Sequence, residues 1–530
     1  MVTSMVLTRI VCLILVLCGC QGTDTDSVRR PPAAIDPELI HTLQFQSPDS
    51  TDSEGRRLAK LYCQSCHVFA EPELLDRTTL REWVLPTLAK ILGLPQEQAG
   101  LPPKKYQRED EQPGIYPQEP LIPANAWAPI VEYYLQAAPE QPLPQGTRPA
   151  IGRDSDQFDV LIPEYRVESP FTTLVAIHEG RIYAGDSRER SVAILDGQGQ
   201  LVQKLRLNLT PTDIDWREGT IWVTSIGSPF PSDDPQGQLM AVAKEGDAFL
   251  QVGKRVLRDL SRPVATSFAD LDGDGAEEIV VSEFGNRLGH LSYFTAKEDG
   301  GYEERWLNQY PGAISHYVRD FNGDGRPDII ALMGQSREGV FIYYNRGDGT
   351  FAESYVVQWP PSYGAAHLSL VDFDGDGDLD LLTANGDNAD YALLLKPYHG
   401  IRLYLNDGRN RFTEAYFFPL NGAYKAQAAD FDGDGDFDIA AIGFFADYAA
   451  APAEAFVYLL NEGGMQFAPS TFDEVLAGRW LTMDVGDVDL DGDEDIVLGS
   501  FAMGWSNVSA ELEARWRRGP SILILKNRRY

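Results

Sequence analysis

Asp372-Phe373-Asp374-Gly375-Asp376-Gly377-Asp378-Leu379-Asp380 carries aspartate at all five odd positions and glycine at positions 4 and 6. Four more stretches follow the same plan. They are Asp270-Leu271-Asp272-Gly273-Asp274-Gly275-Ala276-Glu277-Glu278, Asp320-Phe321-Asn322-Gly323-Asp324-Gly325-Arg326-Pro327-Asp328, Asp430-Phe431-Asp432-Gly433-Asp434-Gly435-Asp436-Phe437-Asp438, and Asp487-Val488-Asp489-Leu490-Asp491-Gly492-Asp493-Glu494-Asp495. Each offers side-chain oxygens at positions 1, 3, 5 and 9, with glycine at position 6 for a sharp turn. Carboxylates crowded in this way repel one another without a cation. A hard ion that takes six to eight oxygens at about 2.3–2.6 Å suits them, so the loops are expected to bind about five calcium ions. Position 7 is expected to add a backbone carbonyl, from Ala276, Arg326, Asp378, Asp436 and Asp493.

The residues after position 9 decide the fold. An EF-hand needs a twelfth-position Glu and then a helix. Here the next residues are Ile279-Val280-Val281, Ile329-Ile330-Ala331, Leu381-Leu382-Thr383, Ile439-Ala440-Ala441 and Ile496-Val497-Leu498, all strand-like. The loops recur at spacings of 50, 52, 58 and 57 residues, the length of one four-stranded propeller blade. A second hairpin lies downstream of three loops, at residues 340–351, 401–412 and 456–467. Two more β units without a carboxylate loop lie upstream, around Leu174–Tyr183 and Thr212–Val223. Seven blades are expected.

A different chemistry occupies the N-terminal part. Cys63-Gln64-Ser65-Cys66-His67 has the spacing for covalent attachment of one haem c, with Cys63 and Cys66 as thioethers and His67 as the proximal iron ligand. A zinc site needs about four ligands, and no other Cys or His lies between His67 and His178. A thioredoxin-like pair expects a βαβ context, whereas here the motif leads into helix and Pro-rich loop. Helices are expected at residues 54–61, 80–92 and 127–135, around a Pro-rich loop at 102–123. This plan resembles small cytochromes c, with a helix before the attachment motif and a closing helix across it.

Only five cysteines occur, and Cys12, Cys18 and Cys20 fall in the leader. Its apolar run, residues 10–17, is too short to span a bilayer and reads as a secretory signal. Leu17-Cys18-Gly19-Cys20 resembles a bacterial lipobox, which implies lipidation of Cys20 and a membrane partner reached through that anchor. With Cys20 lipidated and Cys63 and Cys66 on haem, no thiol remains for a disulfide, so an exported chain of this size depends on its core and its metals. The net charge of -34 argues against nucleic acid as a partner.

The domain reading is therefore a signal peptide at 1–19, a tether at 20–50, an all-α cytochrome c-like unit at 51–138, a Pro-rich linker at 139–164 and an all-β propeller at 165–530. The loops resemble the FG-GAP/VCBS repeats of integrin-α-type propellers. The whole chain resembles bacterial exported FG-GAP/VCBS proteins with an N-terminal cytochrome c module. Stretches that carry this likeness are Asn385-Gly386-Asp387-Asn388-Ala389-Asp390-Tyr391, Lys396-Pro397-Tyr398-His399-Gly400, Asn421-Gly422-Ala423-Tyr424-Lys425 and Arg479-Trp480-Leu481. The resemblance implies fold and an extracytoplasmic location in the cell envelope, not an activity. Related chains carry Leu-Pro-X-Met after the haem motif. Here that stretch is Leu85-Pro86-Thr87-Leu88, so a distal methionine is missing. His41, Lys60, Lys90 and Tyr106 are other possible ligands, and Met240, Met333 and Met465 could serve only if the propeller docks on the haem; an open iron would have a lower potential than a His/Met site.

Asp387, Asn388, Asp390, Tyr391, Lys396, Tyr398 and His399 form a polar, aromatic-rich insertion whose composition suits a sugar or a docking partner. His316 and His367 precede successive loops by four and five residues and are expected to point to opposite faces. Arg346-Gly347-Asp348 reads as a hairpin turn rather than an adhesion motif. Three functions fit. The first is extracytoplasmic electron transfer, with the propeller as a platform for a redox partner protein or polysaccharide. The second is a propeller oxidoreductase that passes electrons from a substrate, such as a carbohydrate, to the haem. The third is an adhesion or glycan-binding module with an accessory haem. No flavin or quinone motif favours the second.

Overall fold

The computed structural model describes residues 52–95, 99–102, 115–153, 156–246, 248–388, 393–502 and 508–528. The leader, Cys20, the tether, His41, Tyr106, Asp390 and Tyr391 lie outside the described residues. Among the described residues no helix is long and apolar enough to cross a membrane.

Seven antiparallel sheets make a β-propeller. The innermost strands, in chain order, are Thr172–His178, Pro211–Arg217, Pro263–Ala269, Ala313–Arg319, Ala365–Val371, Ala423–Ala429 and Trp480–Gly486. They open blades 1 to 7, and each blade runs outward strand by strand. The second strands of blades 3 to 6 are buried along their whole length, for example Asp328–Met333 and Asp438–Gly443. Sheets covered on both faces read as continuous apolar runs, and this is why the triplets after position 9 are so apolar.

Every carboxylate loop joins the first strand of its blade to the second. Blades 1 and 2 make the same turn with Glu179-Gly180 and Glu218-Gly219, all four residues at positive φ. That is the two-residue hairpin preferred by twisted strands. Arg346 and Asp348 sit in the hairpin between Gly339–Asn345 and Phe351–Gln358, with the Arg346 N–H on the Thr350 carbonyl at 3.0 Å.

Blade 7 draws only three strands from the C-terminal part of the chain. Its outermost strand is Phe158–Leu161, antiparallel to Ile522–Asn527. The propeller therefore begins at Phe158 rather than at residue 165, because this strand supplies the fourth strand of the last blade and so joins the two ends of the ring in one sheet. The preceding residues are not a free linker either. Arg148 donates to Glu454 at 2.7 Å and to Asn421 at 2.8 Å, and the Gly152 N–H bonds the Pro469 carbonyl at 2.9 Å.

The N-terminal unit is helical. Helix α1 (Glu54–Cys63) crosses helix α3 (Ala124–Ala137) at Gly55, where a Cβ would stand 2.2 Å from the Pro129 carbonyl oxygen. Helix α2 (Leu85–Ile91) comes after a wider π turn at Leu80–Val84, which accommodates Pro86 near its start. Leu80, Leu85, Trp127 and Ile130 form the shared core.

Ring closure sets the first prediction. Phe158 is 5% exposed, and its ring meets Phe431 and Tyr458 edge-on at 5.4 and 5.2 Å. Phe158→Ala is expected to cost about 3–5 kcal/mol and to lower the melting temperature. Val252→Ser, at an 83% exposed position, is expected to leave it unchanged.

Candidate functional site: carboxylate loops and a cysteine-histidine turn

The five loops share one wiring. The position-1 aspartate accepts the position-6 N–H in every loop, at 2.8–3.2 Å. Position 5 accepts the position-7 N–H, from Ala276, Arg326, Asp378, Asp436 and Asp493. Position 6 needs glycine, with φ between 82° and 99°. Position 4 is also left-handed, and in the last loop it is Leu490, at φ 63°, where the others have glycine.

Position 9 has a second role that the ligand pattern did not reveal. Asp328, Asp380, Asp438 and Asp495 are almost fully buried. Each accepts the backbone N–H of the asparagine that ends the third strand, namely Asn345, Asn406, Asn461 and Asn527, at 2.7–2.8 Å. Each asparagine amide returns a bond to the position-8 carbonyl at 3.1 Å. Asp328, Asp380 and Asp495 also accept the position-2 N–H, and in blade 3 Glu278 does so from Leu271. The sequence signal for the asparagines was their place at the head of each outer hairpin.

Whether a cation suits these loops can be judged from the oxygens left over. Asp372 Oδ1 and Asp430 Oδ1 are buried and have no hydrogen-bond partner. Three carboxylates converge within 4.8 Å in four loops: Asp270/Asp272/Glu278, Asp372/Asp374/Asp380, Asp430/Asp432/Asp434 and Asp487/Asp489/Asp495. Calcium fits this donor set. The Asp320 loop fits less well, because Asn322 replaces a carboxylate and Arg326 pairs with Asp324 inside the loop. Burial raises the position-9 acids, helped by their acidic neighbours; Asp438 and Asp495 are pushed up to about 6.

Loops of this wiring, one in each of blades 3 to 7, agree with the family match. The chain carries FG-GAP-like repeats. The matches cover residues 270–331, 320–383 and 384–441. A search of curated proteins finds no match. Among solved structures, Sqt1 of Saccharomyces cerevisiae is 8% identical, covering 72% of this chain and 100% of its own, with TM-score 0.43. The Pan2 WD40 domain of Neurospora crassa is 10% identical, covering 71% and 97%, with TM-score 0.42. The N-terminal domain of Nup159 is 10% identical, covering 72% and 98%, with TM-score 0.39.

The cysteine-histidine turn closes helix α1. Burial pushes the Cys63 thiol up to about 12 and raises Cys66, the reverse of a reactive redox pair. His67 Nδ1 lies 2.7 Å from the Val68 carbonyl, which can only accept, so Nδ1 carries the proton. The lone pair is therefore on Nε2, the tautomer a metal-ligating histidine needs. Burial also lowers His67, keeping it neutral. This turn fits a haem at its proximal side. Leu88 lies on α2 as part of the packed core, Lys60 is paired with Asp52 at 2.9 Å, and Lys90 stands over the Tyr116 ring.

The turn faces the FG-GAP-like propeller. Arg337 lies near enough to Cys66 to act on its charge, against the larger effect of burial. Tyr398 donates to the Leu74 carbonyl at 3.0 Å, and Arg287 bonds Tyr116 at 3.4 Å. Arg287, Arg337 and Tyr398 all lie between the second and third strands of their blades. Successive antiparallel turns fall on opposite faces, so the helical unit covers the face opposite the carboxylate loops.

The insertion of blade 5 corrects an expectation. Asn388, Lys396 and His399 are 7%, 9% and 1% exposed, so they present no surface to a partner. Asn388 donates to the Leu394 carbonyl at 2.6 Å, and the His399 ring nitrogen lies 3.3 Å from the Ser362 carbonyl, so both side chains are turned to neighbouring backbone. Asp387 is half-buried, its N–H on the Gly364 carbonyl at 2.9 Å. Tyr398 alone of these reaches a cleft of about 500 Å³, beside Trp359, Tyr363, Arg402, Tyr404 and Phe417. His316 and His367 do take opposite faces. His316 bridges Ser267 and Ser282 at 2.7 and 2.8 Å, whereas His367 lies near Lys425.

Position 9 and position 5 should separate on mutation. Asp380→Ala is expected to cost about 2–4 kcal/mol even in chelator, since it strands two buried N–H groups. Asp376→Ala is expected to weaken calcium binding with little effect in chelator. The pH dependence has a defined sign. Position-9 acids raised in the folded, metal-free protein favour folding as pH falls from 7 toward 5, through the window below about 6. Protons compete with calcium over the same range. The melting-temperature gain from calcium should therefore be large at pH 7 and smaller at pH 5.

Proposed function

We propose that this chain is an exported, lipid-anchored haem c protein of extracytoplasmic electron transfer, with the FG-GAP-like propeller as a calcium-braced docking platform. The observation that carries this reading is the Cys63-X-X-Cys66-His67 turn, with its histidine held in the metal-ligating tautomer and its Cys66 near Arg337 of the propeller. A covalently bound haem would supply reversible one-electron chemistry there. His67 would hold the iron through Nε2, and the Val68 carbonyl would fix the ring. Leu88 stands where related chains have methionine and would offer the iron no ligand atom. Arg337 is gripped by Glu353 at 2.6 Å and stands over Tyr310, Phe341 and Tyr355. Its fixed charge would favour the state that has gained an electron. Cys20 would carry the lipid anchor in the cell envelope, and the acidic surface would exclude nucleic acid.

The aromatic cleft between blades 4 and 5 favours a second reading, in which the propeller holds a glycan or partner and the haem is accessory. Arg402 lies 4.9 Å from the Tyr363 ring and 4.4 Å from the Phe417 ring, a polar and aromatic combination suited to sugars.

A pyridine haemochrome assay on the exported protein is expected to give one covalent haem per chain, lost in Cys63→Ala. Absence of covalent haem in the unaltered chain would defeat the first reading. Glycan-array binding that persists in Cys63→Ala and is lost in Tyr363→Ala would favour the second.

A further inference from the structure

Blades 4 and 5 share a charge pattern that blade 3 breaks. Glu304, Glu353 and Glu414 occupy the same place on the outermost strands of blades 3, 4 and 5, opposite Phe294, Tyr343 and Tyr404. One guanidinium answers the acid in blade 4 and in blade 5: Arg337 meets Glu353 at 2.6 Å, and Arg402 meets Glu414 at 3.2 Å. In blade 3 the third strand opens with His290, where the other two have Gly339 and Gly400. Directly across from His290 is a second acid, Glu283.

Two carboxylates thus converge on one imidazole. His290 Nε2 is 2.6 Å from Glu304 Oε1 and 3.0 Å from Glu283 Oε1. The ring nitrogen points at Glu304, and Glu283 Oε1 is left without a hydrogen bond although that side chain is only 2% exposed. Its other oxygen is held by the Ser261 N–H, so the free one is fixed toward the histidine. The Trp306 ring lies against the imidazole at 4.6 Å and limits its rotation. Glu304 is 35% exposed, which leaves one side of the cluster open to solvent.

We propose that Glu283, His290 and Glu304 form a site for a first-row transition metal of the zinc class, separate from the aspartate loops. An ion held by one imidazole nitrogen and two carboxylate oxygens at about 2.0–2.2 Å keeps those atoms roughly 3 Å apart. Nε2 already lies 2.6 and 3.0 Å from the two carboxylate oxygens, and all three ligand atoms fall within 4.8 Å of one another. A nitrogen donor with only two carboxylates disfavours calcium, which takes oxygen ligands in greater number. With three protein ligands and one open side, the site can admit water or a small anion.

The test uses the full chain with calcium in excess, so that the aspartate loops are filled, dialysed against micromolar zinc alone. Bound zinc is read by elemental mass spectrometry. The unaltered chain is expected to hold one zinc more than Glu304→Ala or His290→Gln, with affinity in each variant reduced by more than the roughly 10–100-fold that loss of an outer-shell partner costs. Glu353→Gln, at the equivalent place in blade 4, is expected to retain it. Glu304 is exposed enough for its variant to fold, and the calcium-dependent melting transition verifies this. Equal zinc uptake by the unaltered chain and both variants, or none by the unaltered chain, would overturn the site and leave the cluster an ion-pair network.

Discussion

The position-9 carboxylate is the constraint on which the repeats depend. It is drawn from the inner turn of a blade, yet in blades 4 to 7 it is bonded to the backbone of the third strand, across the sheet. A bare carboxylate at that depth would be costly. Backbone N–H groups satisfy it from two sides, and its acidic neighbours make the loop receptive to a cation. One residue thereby ties the sheet to the loop, and a bound cation would add to a joint that already exists.

The loops and the blade count were legible because each repeat is local: strand, turn and strand succeed one another with a regular period. Ring closure was not. Phe158-Asp159-Val160-Leu161 has the alternation of a strand, but its partner is the C-terminal strand, with Phe158 facing Asn527. No local spacing announces such a pairing, and the prolines around it read as linker. The insertion of blade 5 misled for another reason. Asn388, Lys396 and His399 are polar yet buried, and composition does not distinguish buried polar loop residues from an exposed binding surface. Glu283, His290 and Glu304 come from three successive strands and share no motif, so only the folded sheet brings them together.

The two faces of the propeller are chemically unlike. One holds the acidic turns between first and second strands. The other meets the helical unit through Arg287, Arg337 and Tyr398, on loops between second and third strands. Alternating turn geometry assigns the two sets to opposite sides, so a charged partner at the acidic face and the cysteine-histidine turn would not compete for the same surface.

The path of the chain into blade 7 also has a mechanical meaning. The strand that seals the ring is continuous with the segment leaving the helical unit. Tension applied from that side would reach the seam directly if the segment were loose. Instead it must first break Arg148 from Glu454 and Asn421, and then free Gly152 from blade 6. Blade 6 thus acts as a strain relief, shielding the ring's seam from a pull on its own closing strand.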